Sequence, residues 1–149
     1  LLGREVFMKI LYDVNVLLDA LLRREPFYPA AARLLAAAEQ SQVQGFLCVS
    51  SVNTLYYLVA KQTGSLAARV AIRRMLHIFA LAPVNQLVLQ SALQSRVTDF
   101  EDAVLCESAY HAEVDAIVTR NTAHFAFSPV KIYSPEGLLM WLSRQGAEE

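Results

Sequence analysis

The chain has 149 residues, enough for one domain with a substantial buried core, and its formal net charge is −1 at pH 7. A nearly neutral chain excludes the broad basic surface that is typical of tight, nonspecific nucleic-acid binding. Its longest uncharged stretch, residues 40–60, is interrupted by polar residues and predicts no membrane span.

Two cysteines, Cys48 and Cys106, lie in apolar runs, and their spacing fits neither a disulfide framework nor a zinc site. We interpret both as core residues and expect a cytoplasmic protein. The first convincing strand begins near Met8, so residues 1–7 are interpreted as an N-terminal extension. The expected organisation is a single domain over residues 8–144 and a C-terminal tail over 145–149.

Short apolar runs alternate with helical patterns along the chain. Gly45 is expected to end the second helix, and Thr98 with Glu101 matches a capping box. The fifth helix is expected to turn Leu89 and Leu93 inward. Strands are predicted at 9–12, 46–49, 78–81, 116–118 and 130–133, and the helices between and after them include 30–40, 51–61, 66–76, 85–96 and 98–111. This alternation predicts a parallel sheet covered on both faces, with the carboxyl ends of all strands along one edge.

An acidic residue, Asp13, directly follows the first predicted strand. Ligand sites of parallel α/β sheets lie beyond the carboxyl ends of the strands, which is where Asp13 would stand. The structural alternative is a helix N-cap, because aspartate caps helices well and apolar residues resume at once. Both interpretations remain open for Asp13 taken alone.

A second group of acids, Asp99, Glu101 and Asp102, falls in the first turn of the sixth predicted helix, where acids favour the helix dipole. That explanation covers Asp99 and Glu101. Asp102 fits it less well, because it heads the apolar stripe that should pack on the sheet (Ala103, Cys106, Ala109 and Tyr110).

Thr119-Arg120-Asn121 follows the fourth predicted strand. If this strand lies beside the first, Asn121 and Asp13 face the same crevice. Oxygen ligands gathered there suit a hard divalent ion that could activate water at a phosphodiester. Arg120 is a candidate partner for a phosphate or for Glu101, whereas Asp115 should lie at the opposite end of its strand and be structural.

The chain resembles PIN domains, including VapC-type toxins, from Met8 to about Trp141. The resemblance is carried by three blocks in the typical order, namely Asp13-Val14-Asn15-Val16-Leu17-Leu18-Asp19, Asp99-Phe100-Glu101-Asp102-Ala103 and Thr119-Arg120-Asn121. It implies a three-layer α/β/α fold with a five-stranded parallel sheet of order 3-2-1-4-5. It also implies a Mg²⁺- or Mn²⁺-dependent ribonuclease, possibly the toxin of a toxin–antitoxin pair.

On this resemblance the metal ligands are Asp13 and Asp102, and Asn121 stands where many members carry a third acid. Supporting roles fall to Asn15, Asp99 and Thr119, and Arg120 is a candidate RNA contact. The implied partners are RNA, an antitoxin and a second copy of the chain, with Arg69, Arg73 and Arg74 candidates to flank a paired cleft. No membrane partner is expected.

Two positions depart from the family pattern. The helix after the second strand usually supplies a glutamate, but here Asn53 or Thr54 occupies that neighbourhood. His124-Phe125 stands where Asp-Phe is common; His124 is a candidate phosphate contact or proton donor, or an ordinary surface residue. Fewer carboxylates weaken the binding of a divalent cation. The alternative function is therefore a catalytically degenerate PIN-like module that binds RNA or protein.

Overall fold

The computed structural model describes residues 7–147, so residues 1–6 of the predicted extension and residues 148–149 lie outside the described part. Its five strands form one parallel sheet in the order β3-β2-β1-β4-β5, as predicted. The strands are β1 (Lys9–Tyr12), β2 (Gln44–Cys48), β3 (Ala80–Ala82), β4 (Ala116–Val118) and β5 (Lys131–Tyr133).

Seven helices accompany the sheet within the described residues. They are α1 (Val14–Leu21), α2 (Tyr28–Glu39), α3 (Val49–Thr63), α4 (Ser65–Ile78), α5 (Gln86–Leu93), α6 (Phe100–His111) and α7 (Pro135–Ala147), with a 3-10 turn at Thr122–Phe125. The last helix thus continues past residue 144, where we predicted the domain to end. None of these helices has the length and apolar composition needed to cross a membrane.

The side chains of the central strand β1 pack on both faces of the sheet. Ile10 and Tyr12 point into a core formed with α1, α2, α3, α4 and α7, whereas Leu11 points into a second core with α5 and α6. This alternation is the period of two that a strand imposes on its side chains. Both cysteines are buried and unpaired, as predicted. The molecule therefore has the expected three layers.

The prediction that Gly45 ends a helix was wrong, because α2 ends at Glu39 and Gly45 lies inside β2. A Cβ atom on Gly45 would come within 2.6 Å of two ring atoms of Phe79. The Phe79 ring in turn packs edge-on against Tyr12, with ring centroids 4.9 Å apart. Position 45 therefore needs a glycine, because only a residue without a side chain leaves room for the ring of Phe79, the residue that follows α4, to pack in the core.

Two other element predictions also need correction. Helix α4 continues to Ile78, so β3 begins at Ala80 rather than at residue 78. In α5, Val88 and Ala92 are buried, whereas Leu89 and Leu93 are exposed. Both pairs have helical spacing, so the spacing alone does not decide which pair is buried. The Asn85 side chain caps the helix by accepting a hydrogen bond from the N–H of Val88.

We expect Gly45→Ala to lower the free energy of unfolding by about 1–3 kcal/mol, because the added methyl group overpacks the contact with Phe79. Urea unfolding followed by circular dichroism measures this change. Gly146→Ala is the matched control, since nothing lies within 4 Å of its Cβ position and alanine favours helix α7. Equal stability of the two variants would contradict the packing role of Gly45.

Candidate functional site

The first site residue, Asp13, lies at the junction of β1 and α1. It occupies the N-cap position of α1, but its side chain makes no capping hydrogen bond. Its Oδ2 atom instead accepts a hydrogen bond of 2.8 Å from the hydroxyl of Thr119, which follows β4. Because β1 and β4 are neighbours in the sheet, two residues that are far apart in sequence meet at one edge. Asp13 is therefore not explained as a helix cap.

Asp102 approaches the same place from the first turn of α6. The N-cap of this helix is Asp99, whose Oδ1 atom accepts the N–H of Asp102 at 3.0 Å. The predicted capping box was wrong, because the helix begins at Phe100 and Asp99, not Thr98, is the cap. Since Asp99 is occupied as the cap, the carboxylate of Asp102 is left to face the crevice.

The surroundings of both carboxylates raise their pKa values. Burial, followed by the negative charges of Asp99 and Asp13, raises the pKa of Asp102 to about 6. Burial also raises the pKa of Asp13, against the opposing effect of the Thr119 hydroxyl and the nearby N–H groups of Val14 and Asn15. Each carboxylate is thus held in surroundings that disfavour its negative charge when no cation is near.

Two of the predicted supporting residues, Thr119 and Asn15, and the predicted catalytic residue Asn121 follow the same two strands. Thr119 is fully buried, and its hydroxyl oxygen also accepts the backbone N–H of Asn121 at 3.1 Å. Asn121 is half-buried and precedes the 3-10 turn, and Asn15 is half-buried in the first turn of α1. The turn after β4 is therefore bound to Asp13 through Thr119.

Two predicted substrate contacts have different surroundings. The imidazole of His124 is 65% exposed, and its Nδ1 atom lies 3.9 Å from Oδ2 of Asp102, so its protonated form makes an ion pair there. Arg120 pairs with Asp19 instead of Glu101, at 2.8 Å between Nε and Oδ2. The pairing of Arg120 with Glu101 was therefore a wrong alternative.

Asp19 is a residue whose role the sequence reasoning missed. It is buried, with 1% of its surface exposed, and it also lies 3.8 Å from Arg24. The sequence did contain a signal for this role: Asp19 lies within the apolar stripe of an amphipathic helix, and a buried charge requires a partner of opposite charge.

The position of the usual family glutamate is occupied by uncharged residues in the structure as well. Asn53 is exposed and Thr54 half-buried on α3, and this helix has no acidic residue in its first turn. Within residues 7–147, no three His, Cys, Asp or Glu side chains converge to form a complete ligand set. Two carboxylates fit Mg²⁺ or Mn²⁺ if water supplies most of the coordination shell, which is common for Mg²⁺.

Asp115 lies at the opposite end of β4 from this site. One of its carboxylate oxygens, Oδ2, accepts the backbone N–H of Lys9 at 2.7 Å, where β1 begins. This contact confirms the prediction that Asp115 has a structural role.

Comparison with known proteins agrees with this geometry. A model of the PIN domain matches residues 9–123. No curated protein matches the chain significantly. Among solved structures, a chain of FitAcB from Neisseria gonorrhoeae is 22% identical, with a TM-score of 0.66 over 85% of this chain and 98% of that one.

Two further structures have the same fold. A chain of VapBC2 from Rickettsia felis, solved on a DNA fragment from its promoter, is 14% identical, with a TM-score of 0.64 over 85% of this chain and 98% of that one. VapC20 from Mycobacterium tuberculosis, a Sarcin-Ricin loop cleaving toxin, is 16% identical, with a TM-score of 0.63 over 82% and 98%. Because the family model matches well over half of the chain, the chain belongs to the PIN domain family.

Proposed function

We propose that this protein is a metal-dependent endoribonuclease and the toxin of a toxin–antitoxin pair. The observation that carries the proposal is the convergence of Asp13 and Asp102 at one edge of the sheet, where the charge of one raises the pKa of the other. Charges that repel each other in this way favour a bound cation. The complexes of structurally similar chains, VapBC2 among them, support a protein antitoxin as partner.

In the proposed site, Asp13 and Asp102 hold Mg²⁺ or Mn²⁺, and Asn121 contributes through its amide oxygen. The cation, when bound, neutralises charge on the phosphodiester and lowers the pKa of a water molecule. Thr119 orients the carboxylate of Asp13 through its hydroxyl, and Asp99 orients the first turn that carries Asp102. In the proposed hydrolysis, a bond would form between the water oxygen and phosphorus while the bond to one bridging oxygen breaks. The attacking water would give up a proton to solvent, and the leaving oxygen would take up a proton from solvent.

His124 is the proposed contact for the RNA phosphate. Its imidazole is exposed beside Asp102, so a protonated ring can reach substrate without leaving its place.

We further propose that the protein forms a homodimer. Helix α5 exposes two large apolar side chains one helical turn apart, Leu89 and Leu93, which are 39% and 73% exposed. Exposed apolar patches of this kind mark protein interfaces. A dimer would bring the basic side chains of two copies to the RNA.

Purified protein is expected to cleave single-stranded RNA in Mg²⁺ or Mn²⁺, and Asp13→Ala is expected to reduce the rate by at least about 100-fold. The measurement is a gel assay with a labelled oligonucleotide. Asp115→Asn is the matched control, because Asp115 lies at the opposite end of β4. Equal cleavage by the wild type and Asp13→Ala would end the nuclease proposal.

The pKa of Asp102 gives a prediction for the metal-free protein. It is about 6 in the folded state and near 3.9 in an unfolded chain, so the folded state binds this proton more tightly. The resulting stabilisation is present below about pH 4 and is lost as the pH rises through 6.

In EDTA, Asp102→Asn should therefore have a higher Tm than the wild type at pH 7.5, and the difference should shrink at pH 5. Differential scanning fluorimetry at the two pH values measures it. Adding Mg²⁺ should raise the Tm of the wild type more than that of the variant, because a cation that binds the folded state stabilises it. A difference independent of pH would contradict the crowding of these carboxylates.

The alternative function is a degenerate PIN module that binds RNA or protein without turnover. It is favoured by one observation, the uncharged first turn of α3 where the family usually supplies glutamate. Calorimetric titration separates the two functions. A nuclease binds Mn²⁺ with an affinity that Asp102→Asn lowers, whereas a degenerate module shows no binding at millimolar Mn²⁺.

A further inference from the structure

An ion pair between the buried Asp19 and the half-buried Arg120 lies beside the carboxylate crevice. The Nε atom of Arg120 donates to Oδ2 of Asp19 at 2.8 Å, and Nη2 donates to Oδ1 at 3.4 Å. The guanidinium also lies on the ring of Phe27, 4.1 Å from its centroid. A planar guanidinium that is bonded along one edge and stacked on one face has little freedom to move.

These contacts turn Arg120 away from substrate. Its side chain lines a cavity of about 180 Å³ together with Asp19, Phe27 and residues of α2 and α7. None of Asp13, Asp102 and His124 lines that cavity. A role as the first contact of an RNA phosphate is therefore not what the geometry favours for Arg120.

The backbone of Arg120, in contrast, is part of the site. It lies between Thr119, whose hydroxyl donates to Asp13, and Asn121, whose N–H donates to that same hydroxyl oxygen. Holding the Arg120 side chain therefore holds the turn from which Thr119 reaches Asp13.

We propose that Asp19 and Arg120 are a positioning pair: they fix the turn after β4 so that Thr119 keeps the carboxylate of Asp13 oriented for a cation. The proposal deepens the proposed function and rests on it for the role of Asp13. Residues that orient metal ligands typically change metal affinity by about 10- to 100-fold when they are mutated.

The first test is calorimetric titration of Mn²⁺ into the wild type, Asp19→Asn and Arg120→Met. Both variants should bind Mn²⁺ at least about 10-fold more weakly, because either change releases the same turn. The control is Asp115→Asn, which removes a charge at the opposite end of β4 and should leave the affinity unchanged. Wild-type affinity in both site variants would overturn the proposal.

A direct role of Arg120 on RNA gives a different result. In that case Arg120→Met would weaken binding of a single-stranded oligonucleotide in Ca²⁺, whereas Asp19→Asn would leave both RNA and Mn²⁺ binding unchanged. This pattern would also overturn the proposal.

Removing one member of a buried pair leaves the other charge unpaired and threatens the fold. The double variant Asp19→Leu/Arg120→Met reduces this risk, because apolar replacement of both members of a pair is often neutral for stability and the remaining partner, Arg24, is 33% exposed to water. The folded double variant should show the same loss of Mn²⁺ affinity. An unchanged Mn²⁺ affinity in this variant would contradict the proposed positioning role of Asp19 and Arg120.

A second readout does not depend on metal. Amide hydrogen exchange at Asn121 should become several-fold faster in the double variant, while the amides of β1 keep their protection, because only the turn after β4 is released. If the wild type binds no Mn²⁺, the proposed function fails, but hydrogen exchange at Asn121 still tests whether Asp19 and Arg120 hold the turn after β4. Unchanged exchange at Asn121 would then refute the positioning pair.

Discussion

The hydrogen bond between Thr119 and Asp13 is the contact on which the arrangement of the site depends. It joins the ends of two adjacent parallel strands. It also provides the largely buried carboxylate of Asp13 with an uncharged hydrogen-bond donor, so that the carboxylate keeps its negative charge. Asp102 then adds a second negative charge to the same crevice. The uncharged hydroxyl of Thr119 and the starts of α1 and α6 position the two carboxylates, and the basic side chain beside Asp102 is the exposed imidazole of His124.

Much of this arrangement could be predicted from the order of apolar runs. Alternating strands and helices specify a parallel sheet, and a parallel sheet places residues that follow strands, such as Asp13 and Thr119, at a common edge. Asp102 was identified because an acid at the head of an apolar stripe has no simple structural explanation. The order of apolar and acidic residues therefore predicted both the fold class and the two candidate carboxylates, Asp13 and Asp102.

The features that could not be predicted depend on contacts between distant residues. The role of Gly45 is set by the ring of Phe79, which local turn preferences do not reveal. The buried face of α5 depends on the core that it shares with α6, and the partner of Arg120 depends on how α1 packs against the turn after β4. Local patterns predict elements well, but they do not specify which of two plausible partners a side chain meets in space.

The long separation between Asp13 and Thr119 has a consequence for the synthesis of the protein. These residues are 106 positions apart, and β4, which brings them together, pairs with β1 only after most of the chain exists. Contacts of such high sequence separation form late in folding. A growing polypeptide that ends before β4 contains neither the oriented carboxylate nor its partner strand. Activity that depends on this edge would therefore be withheld until translation of the domain is nearly complete.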